Sequence, residues 1–206
     1  MIDHERDLAS VNEATERLLA SAAGLDNAAV HEPSRLPGWS RGHVLAHLAR
    51  NADALCNVFE GRPMYETAEV RDADIERDAP RPLSEQLEDV RASAARLRER
   101  AALPADWSRT VTLRNGVTDT AARIPFRRRV EIELHHVDLG IGYELEDLSA
   151  EFTAREIDFL QQRFSSDPAV AEVTGPATAL LGWLSGRRDG AGLTAPGATL
   201  PVLPSL

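Results

Sequence analysis

The chain lacks what most extracellular, membrane-embedded or nucleic-acid-binding proteins need. Its 206 residues contain a single cysteine, Cys56, so an internal disulfide and a zinc ribbon are both excluded. No apolar run approaches the length of a membrane span, and the charged start MIDHERDLASVNEA lacks the apolar core of a signal peptide. With 33 acidic against 23 basic residues, the formal charge of -10 argues against nucleic acid or an anionic membrane surface as partner. We expect a cytoplasmic protein, in which a few arginines can still create a local site for a small anion.

What the chain does have is helical periodicity. Apolar residues recur at spacings of three and four, and candidate caps and breakers separate the runs. The sequence predicts helices over residues 3–24, from Ser40 to near Gly61, from Ser84 to about Leu103 before Pro104, and from Pro125 to Gly140 or Gly142. The acidic stretch 61–82 shows little periodicity and is predicted to be a long loop, and Asn115-Gly116 indicates a short hairpin. These features predict a mainly α protein with a four-helix bundle over residues 1–148.

The character of the chain changes near residue 150. Thr153 and Glu156 match a capping box at the start of a helix, and AVAEV over residues 169–173 has the composition of a short strand. Pro176 suits the first turn of another helix that ends near Gly186. We therefore predict a small C-terminal α/β domain over residues 149–206.

The residues best suited to metal binding or catalysis lie in RVEIELHHVDLG. Glu131 and His135 are four residues apart, so a helix places both on one face, with Asp138 in line to orient a ligand. A third ligand from the second helix would complete the two imidazoles and one carboxylate of a catalytic zinc site. His43 and His47 are themselves four residues apart, and spacing does not choose between them.

An ordinary solvated, ion-paired helix face would give the same pattern. Glu133 and His136 belong to a different face of this helix, so we expect only one of the two sets to point into the bundle. Because Val130, Leu134 and Val137 run beside Glu131 and His135, that set is favoured. Cys56 lies on the opposite side of its helix from His47 and is predicted to be an inert, buried thiol.

Three segments carry a resemblance to a known family. PGWSRGHVLAHLARNADALCN, PMYETAEVRDADIE and RRRVEIELHHVDLG resemble the mycothiol-dependent maleylpyruvate isomerases, which belong to the DinB-like metal-binding four-helix bundles. A looser likeness extends to GWLSGRRDG. The resemblance selects His47, with Glu131 and His135, as ligands of a divalent metal, with zinc preferred. It also assigns substrate-binding roles to Arg71 and to Arg187, although Arg188 competes for the second role, and it places the C-terminal domain over the cleft.

The activity that the resemblance implies is the mycothiol-dependent isomerisation of maleylpyruvate to fumarylpyruvate, a cis–trans step of gentisate breakdown. It further implies a monomer that needs no protein nucleophile. One alternative is a mycothiol S-transferase that uses the same metal site on other electrophiles. Another is a non-catalytic metal-binding sensor, which is disfavoured because known zinc sensors of that kind usually use a cysteine pair.

Overall fold

The structure, a computed structural model, describes residues 2–103, 105–197 and 199–203, so the predicted helix stop at Pro104 lies outside the described residues. The chain divides into two compact units, Met1–Gly142 and Tyr143–Leu206. The sequence places the corresponding division at residue 148. No helix in the described part of the chain combines the length and the apolar composition of a membrane span.

The first unit is built on four long helices. These are α1 (His4–Ala22), α3 (Arg41–Phe59), α5 (Leu83–Ala101) and α6 (Ile124–Asp138), with α2 (Asn27–His31) and α4 (Ala68–Asp78) in the connections. Helix α3 packs against α5 and α6, and α1 closes the bundle by packing against the same two helices. The predicted mainly α class and helical bundle are confirmed.

The bundle interior follows the apolar stripes of its helices. Leu45, Leu48, Ala52 and Leu55 of α3 are all less than 4% exposed, as a period of three and four along the helix requires. They meet apolar side chains of α1, α5 and α6 in two neighbouring core clusters. This packing determines which side of α3 faces α6, and therefore that the His47 side chain lies between the two helices.

The prediction of a continuous loop over residues 61–82 is wrong, because Ala68–Asp78 form helix α4. The Thr67 side chain caps this helix by accepting from the Val70 amide at 3.2 Å. Ile75 and Asp78 are its only buried residues within the described chain, so the helix has almost no apolar stripe for a periodicity test to detect. The correction matters because it places Arg71 on a helix that packs against α3.

The predicted start of the third long helix also needs correction. Helix α5 begins at Leu83, two residues earlier than a cap at Ser84 would set it, and Pro82 is its cap residue without a side-chain bond. The Asn27 side chain, from α2, instead accepts a hydrogen bond from the Leu83 amide at 2.9 Å. A cap supplied by a distant segment leaves no local signal in the sequence.

The predicted hairpin is present as β1 (Thr110–Thr112) paired antiparallel with β2 (Thr118–Thr120). Its turn uses the left-handed conformation at Asn115 and Gly116, with φ of 58° and 72°. Both residue types tolerate this conformation, which is why an Asn-Gly pair signals such a turn. The hairpin lies beside the carboxyl-terminal half of α3 in the same core cluster.

The second unit contains α7 (Ala150–Arg163), α8 (Pro168–Ala171) and α9 (Ala177–Leu184). Ser149, not Thr153, caps α7, and Thr153 is a buried residue inside the helix. The strand predicted at residues 169–173 is wrong, because most of this segment forms α8. Among the described residues of this unit, strand pairing is limited to an isolated bridge between Thr174 and Thr194.

Candidate metal centre

His47, Glu131 and His135 come together between α3 and α6. His47 Nε2 lies 2.9 Å from Glu131 Oε2, and His135 Nε2 lies 3.3 Å from the same oxygen. One donor atom from each residue lies within 4.8 Å of the other two. The two helices therefore bring together the three side chains that the sequence predicts as ligands.

The donor set fits a divalent cation. Two imidazole nitrogens and a carboxylate oxygen are the protein ligands found at open catalytic zinc sites, where one further position takes water or substrate. His47 is 6% exposed, so the surrounding protein limits competition from water on the α3 side. His135 Nδ1 also lies 2.8 Å from Asp138 Oδ2, and Asp138 is 1% exposed. A carboxylate behind a histidine fixes the ring orientation and tautomer of a metal ligand, which fits the predicted role of Asp138.

The protonation states of the three side chains differ. Burial lowers the pKa of His47 to about 4, because it removes the water that would stabilise the charged ring. The positive charges of His135 and Arg71 lower this pKa further, and the hydrogen bond and negative charge of Glu131 offset only part of the decrease. Burial would likewise raise the pKa of Glu131, but hydrogen bonds from His135 and His47 hold it well below 4.5. For His135, bonds to Asp138 and Glu131 outweigh burial and raise the pKa above 6.5. Glu131 is thus ionised and His47 neutral near pH 7, as metal ligands must be.

His43 and His47 lie in different surroundings, and only His47 belongs to the cluster. His43 Nδ1 lies 2.7 Å from Ser40 Oγ and accepts from the Ser40 amide at 3.1 Å, as part of the capping box of α3. Its Nε2 faces Glu76 at 3.3 Å. Both ring nitrogens are therefore engaged at the start of the helix, away from Glu131. His43 therefore serves the start of α3 and is not part of the cluster.

The expectation that only one polar face of α6 can be buried is wrong. Glu133 and His136 are 2% and 0% exposed, although they lie on a different face from Glu131. Helix α6 packs against α1 on one side and α3 on the other, so two faces are covered. Glu133 accepts from Arg17 of α1 at 2.8 Å, which compensates its buried charge.

Arg71 lies directly beside His47, the candidate ligand from α3. Its Nη2 is 3.2 Å from His47 Nδ1, and its Nη1 donates to Asp72 at 2.6 Å. The guanidinium carbon lies 6.0 Å from the ring centre of Trp39 and 5.8 Å from that of Tyr65. Two aromatic faces attract the cation and restrict its rotamers, so a positive group is held at the edge of the cluster in a strongly acidic chain.

Tyr65 joins this arrangement through its hydroxyl. Burial raises the pKa of the Tyr65 phenol, and the negative charge of Glu131 adds to the increase. The phenol is therefore protonated near neutral pH and is a hydrogen-bond donor close to the cluster. Trp39 and Tyr65 belong to two of the segments that resemble the family, but the sequence predicts no role for either; the available signal was an aromatic residue in each segment.

Arg128 is a further buried charge that sequence reasoning missed. It is 1% exposed, and its Nη1 donates to Asn51 at 2.7 Å, one helical turn from the His47–Glu131 contact on both helices. Its Nε and Nη2 have no hydrogen-bond partner among the described residues. Burial lowers the pKa of Arg128 to about 10, and Glu131 opposes this shift. The positive charge thus helps to keep the neighbouring carboxylate ionised.

Cys56 and Arg187 are the other two residues with a predicted role. Cys56 is partly buried, and burial together with the charge of Asp53 raises its pKa to about 11, which fits an unreactive thiol. Arg187 belongs to the second unit, where its Nη1 donates to the Ser185 carbonyl at 2.8 Å. Its predicted role at the substrate stays a prediction.

Comparison with known proteins identifies the family. The sequence model of the mycothiol maleylpyruvate isomerase N-terminal domain matches residues 11–140, which include all three candidate ligands and Arg71. The chain belongs to this family. A comparison with curated proteins finds none that is similar in sequence.

Two solved structures share the fold of the chain. They are a crystal structure of the mycothiol-dependent maleylpyruvate isomerase and one of a histidine-to-alanine mutant of that enzyme. Each superposes with a TM-score of 0.87 at 24% sequence identity, covering 99% of this chain and 97% of the other. The match extends over both units of the chain, and at this identity it establishes the fold.

Proposed function

We propose that the protein is a metal-assisted, mycothiol-dependent isomerase that converts maleylpyruvate to fumarylpyruvate. The observation that supports this most directly is the meeting of His47, Glu131 and His135 within 4.8 Å in a chain of the isomerase family. The proposal includes zinc as the metal and a monomeric, cytoplasmic enzyme, as the family resemblance implies. Gentisate breakdown is the corresponding setting for the reaction.

The roles of the chain's own residues follow from their positions. His47, Glu131 and His135 would hold the cation, and Asp138 would orient the His135 ring. When bound, the cation would acidify the thiol, and the thiol would supply a reversible nucleophile for the cis double bond of the substrate. The reaction adds and removes the same thiol, so it needs no redox partner and no nucleophile from the protein.

We propose that Arg71 binds the substrate. A guanidinium grips a carboxylate through two parallel hydrogen bonds, and maleylpyruvate carries two carboxylates. Arg71, whose guanidinium lies near the rings of Trp39 and Tyr65, would orient one of these carboxylates and stabilise the negative charge that develops on the substrate during addition. We propose a second contact of this kind for Arg187, on the basis of the resemblance alone.

Metal content and a thiol-dependence assay test the proposal. We expect the purified protein to contain one divalent metal per chain and to isomerise maleylpyruvate only when mycothiol is added. His47→Ala should lose both metal and activity, whereas His43→Ala, which removes a histidine of the same helix that serves the cap, should keep the metal. Full activity in metal-free His47→Ala would refute the scheme.

Turnover of a model electrophile without isomerisation would instead make the protein a transferase, and a stable protein partner without turnover would make it a sensor.

A further inference from the structure

The first unit contains a cavity of about 530 Å³, and Tyr65 is one of the residues that line it. Its walls are Val58 of α3, residues 61–65, 67 and 68, and residues 109–115, which include β1. The volume is within the roughly 300–1,000 Å³ typical of pockets that bury a small molecule. We propose that this cavity binds the polyhydroxylated body of the thiol cofactor, while its sulfur end reaches the metal cluster. This assignment rests on the proposed function.

Tyr65 links the cavity to the cluster. It lines the cavity, its ring lies 5.8 Å from the Arg71 guanidinium, and Arg71 Nη2 lies 3.2 Å from His47 Nδ1. Two side chains therefore separate the edge of the cavity from a candidate metal ligand. A molecule bound in the cavity can therefore extend one end past Tyr65 to the cluster. A long thiol has to bind in this way if its sulfur is to approach the cation.

The cavity walls suit hydroxyl groups. Thr67, Thr110, Thr112 and Asn115 line it, and hydroxyl and amide side chains can each donate and accept hydrogen bonds. Apolar surface from Val58, Val111 and Leu113 lies between them and suits the carbon faces of sugar and cyclitol rings. A mixed surface of this kind matches a neutral polyol better than a compact dianion.

The arginines of the cavity are largely engaged by the protein itself. Arg62 pairs with Glu60, and Arg109 Nη2 donates to the Phe59 carbonyl at 2.8 Å. Arg114 is exposed at the mouth, where no ion pair with a described residue holds it, and it can donate to ligand hydroxyls. A pocket for a small dicarboxylate would need free, convergent guanidinium groups. The cavity is also much larger than such a substrate, so Arg71 remains the better site for the substrate carboxylates.

The test compares thiol binding in cavity variants and in a matched control. Thr112→Trp fills the cavity, and Arg114→Ala removes an exposed donor whose loss should leave folding unchanged. Val117→Trp adds the same bulk to an exposed site of the hairpin that does not line the cavity. Calorimetry on the zinc-loaded protein would measure Kd for mycothiol and for its glucosaminyl-inositol body, which lacks the cysteine and carries an acetyl group on the amine so that it stays neutral. We expect Thr112→Trp to raise both Kd values by about tenfold or more, Arg114→Ala to raise them severalfold, and Val117→Trp to change neither.

The thiol-free body separates this proposal from the proposed function. Loss of its binding in Thr112→Trp supports the cavity assignment even if the protein fails to isomerise maleylpyruvate. Unchanged mycothiol Kd in both cavity variants overturns the assignment, and so does failure of the unmodified protein to bind the body. An increase in the KM for maleylpyruvate without an increase in that for mycothiol also overturns it, because the cavity would then serve the substrate.

Discussion

At the scale of single residues, the cluster combines two histidines that share one carboxylate but hold protons differently. The buried His47 ring has a pKa near 4 and is neutral, whereas His135 is held by two carboxylates that raise its pKa above 6.5. Because a metal binds only an unprotonated imidazole nitrogen, the two residues contribute differently to the pH dependence of metal affinity. His47 needs no proton removed near neutral pH, but His135 does.

Zinc affinity should therefore fall by about tenfold per unit as the pH drops below the raised pKa of His135. One proton is displaced per metal in this range, since His47 is already neutral down to about pH 4 and Glu131 is ionised. Competition with a chelator over a pH series would measure the slope. Asp138→Asn removes a bond that raises the pKa of His135 and should shift the onset of the fall to lower pH. Release of two protons per zinc at mildly acidic pH would contradict this account.

The ligand residues also show what a sequence can and cannot specify at this scale. The spacing of Glu131 and His135 on one helix predicted their common face correctly, since helical geometry alone determines it. The spacing of His43 and His47 could not select the ligand, because the choice depends on where α3 begins and which side α6 covers. Arg128 was missed for the same reason: its burial depends on α3 and α6 packing together, and in the sequence it is one of three consecutive arginines.

At the scale of helices, the position of α4 depends on a close approach to the start of α3. A Cβ atom on Gly42 would lie 2.1 Å from the Ala79 carbonyl oxygen, just after α4, and 2.8 Å from a Val30 methyl. Only glycine permits this contact without movement of the backbone. The sequence reveals α3 through its apolar stripe, but α4 is held by this contact, a threonine cap and Ile75, none of which forms a periodic pattern.

Gly42→Ala should therefore destabilise the protein by about 1–3 kcal/mol. This loss is expected even though the helix propensity of alanine is about 1 kcal/mol more favourable than that of glycine. The carbonyl of Ala79 is backbone, so it cannot rotate away as a flexible side chain would. Gly24→Ala is the matched control, because its nearest contact would be 3.8 Å away, an ordinary distance. Denaturant unfolding monitored by circular dichroism would compare the two. Equal stability of both variants would show that the approach of α4 to α3 is looser than described.

At the scale of the whole molecule, the candidate ligands all belong to the first unit, while the family resemblance assigns Arg187 of the second unit to the substrate. The neighbouring Arg188 is engaged within its own unit: its side chain packs on Gly182 of α9 and its Nη2 donates to Glu146 at 2.7 Å. The sequence alone could not show which of the two arginines contacts the substrate. Their local contacts favour Arg187, because Arg188 has an evident structural role.

We expect Arg187→Ala to lower kcat/KM for maleylpyruvate by about 10–100-fold, the effect of losing a hydrogen bond to a charged group worth about 1.5–3 kcal/mol. Zinc affinity and the melting temperature should stay near those of the unmodified protein, since the ligands lie elsewhere in the chain. Arg188→Ala should instead lower the stability modestly and change kcat/KM little, because it removes the contacts with Gly182 and Glu146. Steady-state kinetics at saturating mycothiol would decide between them. A greater loss of kcat/KM in Arg188→Ala would transfer the substrate role to that residue, and unchanged kinetics in both variants would confine substrate binding to the first unit.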